Sequence, residues 1–201
     1  NRERQLAPIL SGATCKGVPV NRYALEVAHS KAQAALVQGE DVVRKLLNAP
    51  TLNPHSNAEL AKALEEADAV SGWDYTDKGN KRVAKESLLR HIKDPKVLAH
   101  LNYVSTMSTV IGTFIEPWLE HSYKDGRIHP NWNQVRQPNE RKGGSKGTRT
   151  GRLSSDAPNF QNVIDGSRYQ NDLVELEPIP FMRSFVTPEE GHVWLKRDFS
   201  G

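Results

Sequence analysis

Apolar residues recur with helical spacing over residues 1–122 and lose that spacing beyond Tyr123. Leu25, Ala28, Ala32, Ala35, Leu36, Val43 and Leu47 keep to roughly one face. They predict a long helix that Asn21 caps and that runs to about Asn48. A first, shorter helix is expected from about Arg2 to Leu10, ending near Gly12. Ser56 with Glu59 has the spacing of a capping box and predicts another helix start. Asp94–Pro95 joins an N-cap to a first-turn proline. Behind it, Val97, Leu98, Leu101, Val104, Ile111, Phe114, Ile115 and Trp118 mark the buried stripe of a helix of about 28 residues, roughly 40 Å long. Pro117 is expected to bend or loosen its last turns. Ser105, Ser108, Thr109 and Gly112 form a stripe of small residues that a neighbouring backbone can approach, although ordinary helix packing explains such residues too.

Beyond Tyr123 the chain reads as short strands and loops rich in Gly, Pro, Asn and Arg. KDGRIHPNWNQVR is a turn followed by residues suited to a strand. GHVWLKRDFSG reads as a turn, a strand and a second turn begun. NERKGGSKGTRTG has the composition of an exposed loop. Helices followed by short strands make the chain α+β.

With 37% hydrophobic and 25% charged residues among 201, the composition is that of an ordinary soluble protein rather than a disordered one. No run of about 18 apolar residues exists to span a bilayer, so no membrane partner is expected. NRERQLAPIL lacks the apolar stretch and cleavage pattern of a secretory signal, and the expectation is a cytoplasmic protein. Cys15 is the only cysteine, and the histidines have no thiols at zinc spacing, so structural zinc is not expected. The net charge of +3 excludes little, but its distribution is uneven. Arg136, Arg141, Lys142, Lys146, Arg149 and Arg152 lie in one segment opposed only by Glu140. The segment is either a solvated basic loop or a surface that faces phosphates.

GTRTGRLSSDAPNFQNV, residues 147–163, sets an arginine among small residues and follows it with Asn159, Gln161 and Asn162. Amides and guanidinium groups need hydrogen-bond partners once they leave water, so a buried strand is not written this way. TGRLSSDAPNFQNV resembles the segment of family A DNA polymerases, the DNA polymerase I-like enzymes, that reads T-G-R-L-S-S, two variable residues, P-N-L-Q-N-I. KRDFSG at residues 196–201 resembles the start of that family's motif A, and its Ser-Gly is more similar to bacteriophage members. More weakly, NRERQLAPIL with GVPV resembles the helix that opens the polymerase region. LNPHSNAELAKAL and DYTDKGNKRVAKESL resemble thumb segments, and STMSTVIGTFIEPWL with GRIHPNWNQ resembles the helix and strand that follow. Asp156-Ala157, Val163-Ile164 and the long acidic insert IDGSRYQNDLVELEPIP differ from the commonest family forms.

The resemblance implies a long-helix thumb over residues 1–126, its opening helix packed on the palm. Residues 127–201 would be the first part of an antiparallel-sheet palm, ending within motif A. It implies a template-directed DNA polymerase of DNA replication, a nucleotidyltransferase whose partners are primer–template DNA and deoxynucleoside triphosphates. For a phage enzyme the compartment is the host cytoplasm. No protein partner is indicated.

A template-directed polymerase must grip positions common to every base pair, and the minor groove offers purine N3 and pyrimidine O2 acceptors at each one. Arg152, Asn159, Gln161 and Asn162 are donors for that groove, as the resemblance also implies. A mispair would displace the acceptors and leave buried donors unpaired. The alternative is a polar turn that caps itself. Arg141, Lys142, Lys146 and Arg149 would face phosphates, with Lys78, Lys81 and Arg82 as weaker candidates. Nucleotidyl transfer uses two Mg²⁺ ions. An Asp after a strand is ordinarily a turn residue, but the motif A resemblance makes Asp198 the expected metal ligand and catalytic carboxylate, and it adds the Phe199 carbonyl and, with no settled role, Arg183. The second carboxylate and the nucleotide-binding fingers helix belong to later family motifs. The chain by itself is therefore expected to be an inactive piece of a larger polymerase.

Two other readings stand beside this one. One is a non-catalytic duplex-binding module. The other is a metal-dependent hydrolase using Asp198 with Glu189 or Glu190, although PEEG reads better as a loop. GGSKGTRTG lacks the residue order of a phosphate-binding P-loop.

Overall fold

Helix α1 (Arg2–Lys16) runs past Gly12 and stops at Gly17. The computed structural model describes residues 2–133, 137–138, 145–146, 153–160, 162–169 and 171–195. Gly12 faces open space, so the helix tolerates it, whereas Gly17 has φ +69 and its N–H closes the last turn on the Ala13 carbonyl at 3.0 Å. A left-handed residue at this place is how helices commonly end. The expected stop near Gly12 is therefore corrected to Lys16.

Helix α2 (Arg22–Leu46) starts where expected, with Asn21 Oδ1 accepting from the Ala24 N–H at 3.0 Å. Leu25, Ala32, Ala35, Val43 and Leu47 are buried. Helix α3 (Asn57–Glu66) is capped by Ser56, whose Oγ accepts from the Glu59 N–H at 3.4 Å. The Glu59 carboxylate accepts from the Asn53 N–H at 3.1 Å instead of closing the box on Ser56. Helix α4 (Lys85–His91) was not expected, and no side chain caps it at Ala84.

Helix α5 (Pro95–Thr109) begins at Asp94, which accepts from the Lys96 N–H at 2.8 Å. The long helix expected from here is interrupted: a π-helical segment Val110–Ile115 precedes α6 (Glu116–His121). Pro117 supplies no N–H, and its ring conflicts with the carbonyl four residues back. A wider turn just before it accommodates both effects. Val110, Ile111, Phe114, Ile115 and Trp118 stay buried through the change of helix type.

The strands are short and antiparallel. β1 (Val18–Pro19) pairs with β2 (Arg127–Ile128), and Val20 bridges to Val186. β3 (Asn131–Asn133) pairs with β6 (Ser154–Asp156). Within the stretch read as a basic loop, β4 (Gln137–Pro138) pairs with β5 (Ser145–Lys146). The strand expected in GHVWLKR is not formed at residues 192–195, which pair with no strand among the described residues. Val193 and Leu195 are almost fully exposed, at 88% and 87%. Alternation suits a residue to a strand, but a strand needs a partner for its ladder.

Helices with small antiparallel pairs make the chain α+β. It forms two compact units. One comprises residues 1–27, 114–164 and 181–201, and buries Leu25, Ile115, Trp118, Ile128 and Met182. The other comprises residues 28–113 and 165–180, and buries Leu60, Leu64, Leu101, Val104 and Met107. Each unit draws on both sides of residue 126. The acidic insert folds into the second unit: the Tyr103 hydroxyl donates to the Glu177 carbonyl at 2.6 Å, and Lys31 pairs with the Glu177 carboxylate at 3.5 Å. A Cβ on Gly166 would stand 2.5 Å from the Ile179 carbonyl oxygen, so only glycine lets the two ends of the insert approach this closely.

Candidate nucleic-acid interface

The segment that follows β6 is held from two sides. β3 places Trp132 opposite Ser155, and Ser155, 5% exposed, accepts the Phe160 N–H on its hydroxyl at 3.0 Å. The Phe160 ring stacks on the indole of Trp118 in α6, with centroids 4.9 Å apart and planes 11° from parallel. Pro158 and Val163 point inward, while Asn159 and Asn162 are exposed. Pro158, Phe160 and Val163 therefore anchor the backbone, and Asn159 and Asn162 face out. The Asn159 side-chain Oδ1 accepts the Asn162 N–H at 3.3 Å, which is one bond of a self-capping turn.

A charged cluster lies elsewhere in the same unit. Arg127 donates to the Lys16 carbonyl at 3.1 Å and pairs with Glu189 at 3.0 Å, and Lys16 Nζ lies 3.3 Å from the same carboxylate. The Arg127 guanidinium and the Lys16 ammonium hold the Glu189 carboxyl below its usual range. Glu189 is thus committed to two cations rather than presented to a metal, which counts against the hydrolase reading. Among the described residues no group of three or more His, Cys, Asp or Glu could hold a metal ion.

Of the residues expected to carry function, Asn159 and Asn162 are brought to one exposed segment. Arg183 is exposed on the short 3₁₀ turn Met182–Phe185, whose Met182 and Phe185 are buried. Lys146 contributes backbone to β5. Arg141, Lys142, Arg149, Arg152, Gln161, Asp198 and Phe199 lie outside the described residues. Among the weaker candidates, Lys81 forms an ion pair with Glu65 and lies 5.7 Å from the Trp73 ring centre, so its charge is already compensated. Lys78 and Arg82 are exposed.

Sequence reasoning placed Trp118 in a buried stripe but missed its contact with Phe160, and it missed Ser155 altogether. One signal was available: the segment has Phe where the quoted family pattern has Leu, and a larger ring needs a larger partner.

The model of DNA polymerase family A matches residues 22–201. The chain belongs to that family. This family A chain is 28% identical to DNA polymerase DpoZ of Vibrio phage phiVC8, over 98% of its own length and 30% of the relative's. It is 29% identical to a DNA-directed DNA polymerase of Pseudomonas phage M6, over 100% of its own length and 28% of the relative's. To thermostable DNA polymerase I of Thermus thermophilus it is 28% identical, covering 98% of itself and 22% of that enzyme. The family A chain thus spans less than a third of the length of these relatives. The POL domain of Pol1 from M. smegmatis, solved in complex with DNA primer-template and dNTP, superposes with a TM-score of 0.70 at 21% identity, over 95% of this chain and 30% of that one. At that identity the likeness establishes the fold. No helix among the described residues is long and apolar enough to cross a membrane.

Proposed function

We propose that this chain is the thumb and first palm portion of a DNA-directed DNA polymerase, and that it binds primer–template duplex through minor-groove and phosphate contacts. The observation that carries the reading is the segment 158–163, whose apolar residues turn inward while Asn159 and Asn162 face out. Amide nitrogens so presented can donate to the purine N3 and pyrimidine O2 acceptors that every base pair offers. Arg152 and Gln161 complete the donor set. Arg141, Lys142, Lys146 and Arg149 meet phosphates. Residues 1–126 are the helical thumb region and residues 127–201 the partial palm.

Asp198 and the Phe199 carbonyl are hard oxygen donors of the kind Mg²⁺ prefers, and they are the residues that would hold it. When bound, the two ions of the complete enzyme lower the pKa of the primer hydroxyl and stabilise the leaving pyrophosphate. The chain's own share is to hold the duplex end in place with its minor-groove donors while phosphate contacts keep it from sliding. The substrate is a deoxynucleoside triphosphate, Arg183 resembles the family's arginine just before motif A and carries no assigned role, and the setting is cytoplasmic DNA replication, in a host cell for a phage enzyme.

The test is binding of labelled primer–template, followed by primer extension with the full-length polymerase that carries these residues. R152A is expected to weaken duplex binding by about tenfold, the scale of a lost charge-assisted hydrogen bond. D198N should abolish extension without loss of binding. The 201-residue chain alone should bind DNA without extending a primer. Extension that survives D198N would overturn the metal assignment. Duplex binding unaffected by R152A, N159A and N162A together would overturn the minor-groove reading.

A further inference from the structure

We infer that Trp118 is a positioning residue for recognition of a correctly paired primer end, acting through its stack on Phe160. The inference rests on the minor-groove reading of residues 159–162 and goes beyond it, because Trp118 itself touches no base in that reading.

Phe160 directly follows Asn159 in the chain, so whatever fixes Phe160 fixes the origin of that donor. Its N–H is held by Ser155 at 3.0 Å, and its ring by Trp118 at 4.9 Å between centroids. The first bond sets where the backbone is, and the second sets how it is rotated. A peptide tethered at one atom can still swing its neighbours, whereas one tethered at backbone and side chain cannot. The planes are 11° from parallel, an offset stack in which the rings resist tilting. Trp118 is itself immobile: it is 0% exposed and sits on α6 directly after Pro117. Its indole N–H, buried, has no acceptor among the described residues.

Discrimination between a matched and a mismatched end depends on donors that do not follow a displaced acceptor. A loosely held Asn159 would adapt to a mispair, and one held through Phe160 would not. Trp118 therefore affects the ratio of matched to mismatched binding more than it affects duplex binding as a whole, most of which is phosphate contact.

The experiment measures fluorescence anisotropy of the full chain with primer–template duplexes that are matched or carry one mismatch near the primer end. The variants are W118L, W118F, F160L, N159A and W118L/N159A. W118L and F160L are expected to lower the matched-to-mismatched ratio about threefold to tenfold, the scale of one aromatic pair. W118F keeps an aromatic ring against Phe160 while losing the indole N–H and part of the ring area, so it should retain more of the ratio than W118L does. The double variant should discriminate no worse than N159A alone, because both changes act through one segment. F160L leaves the buried Trp118 in place, so it decides the question where W118L fails to fold. An unchanged ratio in F160L, or losses in W118L and N159A that simply add, would overturn the positioning role while the minor-groove reading stands. A wild-type chain that binds duplex without preference for a matched end would overturn the minor-groove reading and this inference with it.

Discussion

His129 lies 2.8 Å from Asp125, its Nε2 donating to the Oδ2 of the carboxylate, while Nδ1 donates to the Thr14 carbonyl at 2.7 Å. Both ring nitrogens face acceptors, which only the imidazolium satisfies as a double donor. Asp125 is the main cause holding the imidazole above its ordinary 6.5, aided by the Thr14 carbonyl and opposed by partial burial and by Arg127. A raised folded-state value contributes stability that is complete below about 6.5 and is lost as pH rises through the folded value. Asp125, held below its ordinary 3.8 chiefly by the same bond, contributes above that value and loses it only in acid. The urea midpoint of the wild type should therefore fall between about pH 6 and about pH 9 more than that of H129Q. Parallel profiles would mean that the pair contributes nothing.

Gly17 stands against the same ring: a Cβ there would lie 2.6 Å from His129 at φ +69. G17A must therefore strain the backbone and displace the imidazole together. The expected cost is about 1–3 kcal/mol in chemical denaturation. A G17A chain as stable as the wild type would show that the end of α1 can shift freely.

The caps at Asp94 and Ser56 differ in geometry, and their removal should differ likewise. Asp94 accepts at 2.8 Å with a charged oxygen, Ser56 at 3.4 Å with a neutral one. D94A is expected to cost about 1 kcal/mol and S56A about half of that. Amide exchange in the first turns of α5 and α3 reads each loss separately, and a larger effect in α3 would contradict the ranking.

Tyr103 ties the acidic insert to the second unit, donating to the Glu177 carbonyl at 2.6 Å. Burial, with the Glu177 carboxylate adding to it, pushes the phenol up to about 12. Y103F keeps the ring and removes the bond, at an expected cost of about 0.5–1.5 kcal/mol. Exchange protection should fall over residues 174–179 and nowhere else. In an ultraviolet titration the wild type should hold one more phenol protonated at about pH 11 than Y103F predicts by tyrosine count.

The basic segment bears on salt dependence. If the roughly five cations Arg136, Arg141, Lys142, Lys146 and Arg149 each meet a phosphate, log affinity for duplex falls against log salt with a slope of about −4 to −5. Alanine at Arg141, Lys142 and Arg149 together should make the slope shallower by about 3. A nearly flat response in the wild type would remove this segment from the interface.

The helix starts at Asn21, Ser56 and Asp94 were legible because each cap bond spans only two or three residues and depends on nothing distant. The stop of α1 was misread at Gly12, since two glycines lie close together and composition alone does not say which one takes the left-handed conformation. Helix α4 carries no side-chain cap and is too short to show a period, so nothing local announced it.

By itself the sequence determined the α+β class, the long helical stretches and, through TGRLSSDAPNFQNV, membership of the polymerase family. These are properties of local propensity, periodicity and an unbroken motif, and all of them survive without knowledge of what lies opposite. Only the tertiary structure decided that residues 192–195 pair with no described strand, that the acidic insert packs on Tyr103, and that Phe160 meets Trp118. Each of these depends on residues distant in sequence, or on the absence of a partner for a segment suited to pairing. A one-dimensional pattern carries the preference of each residue, and a contact requires two preferences to meet in space.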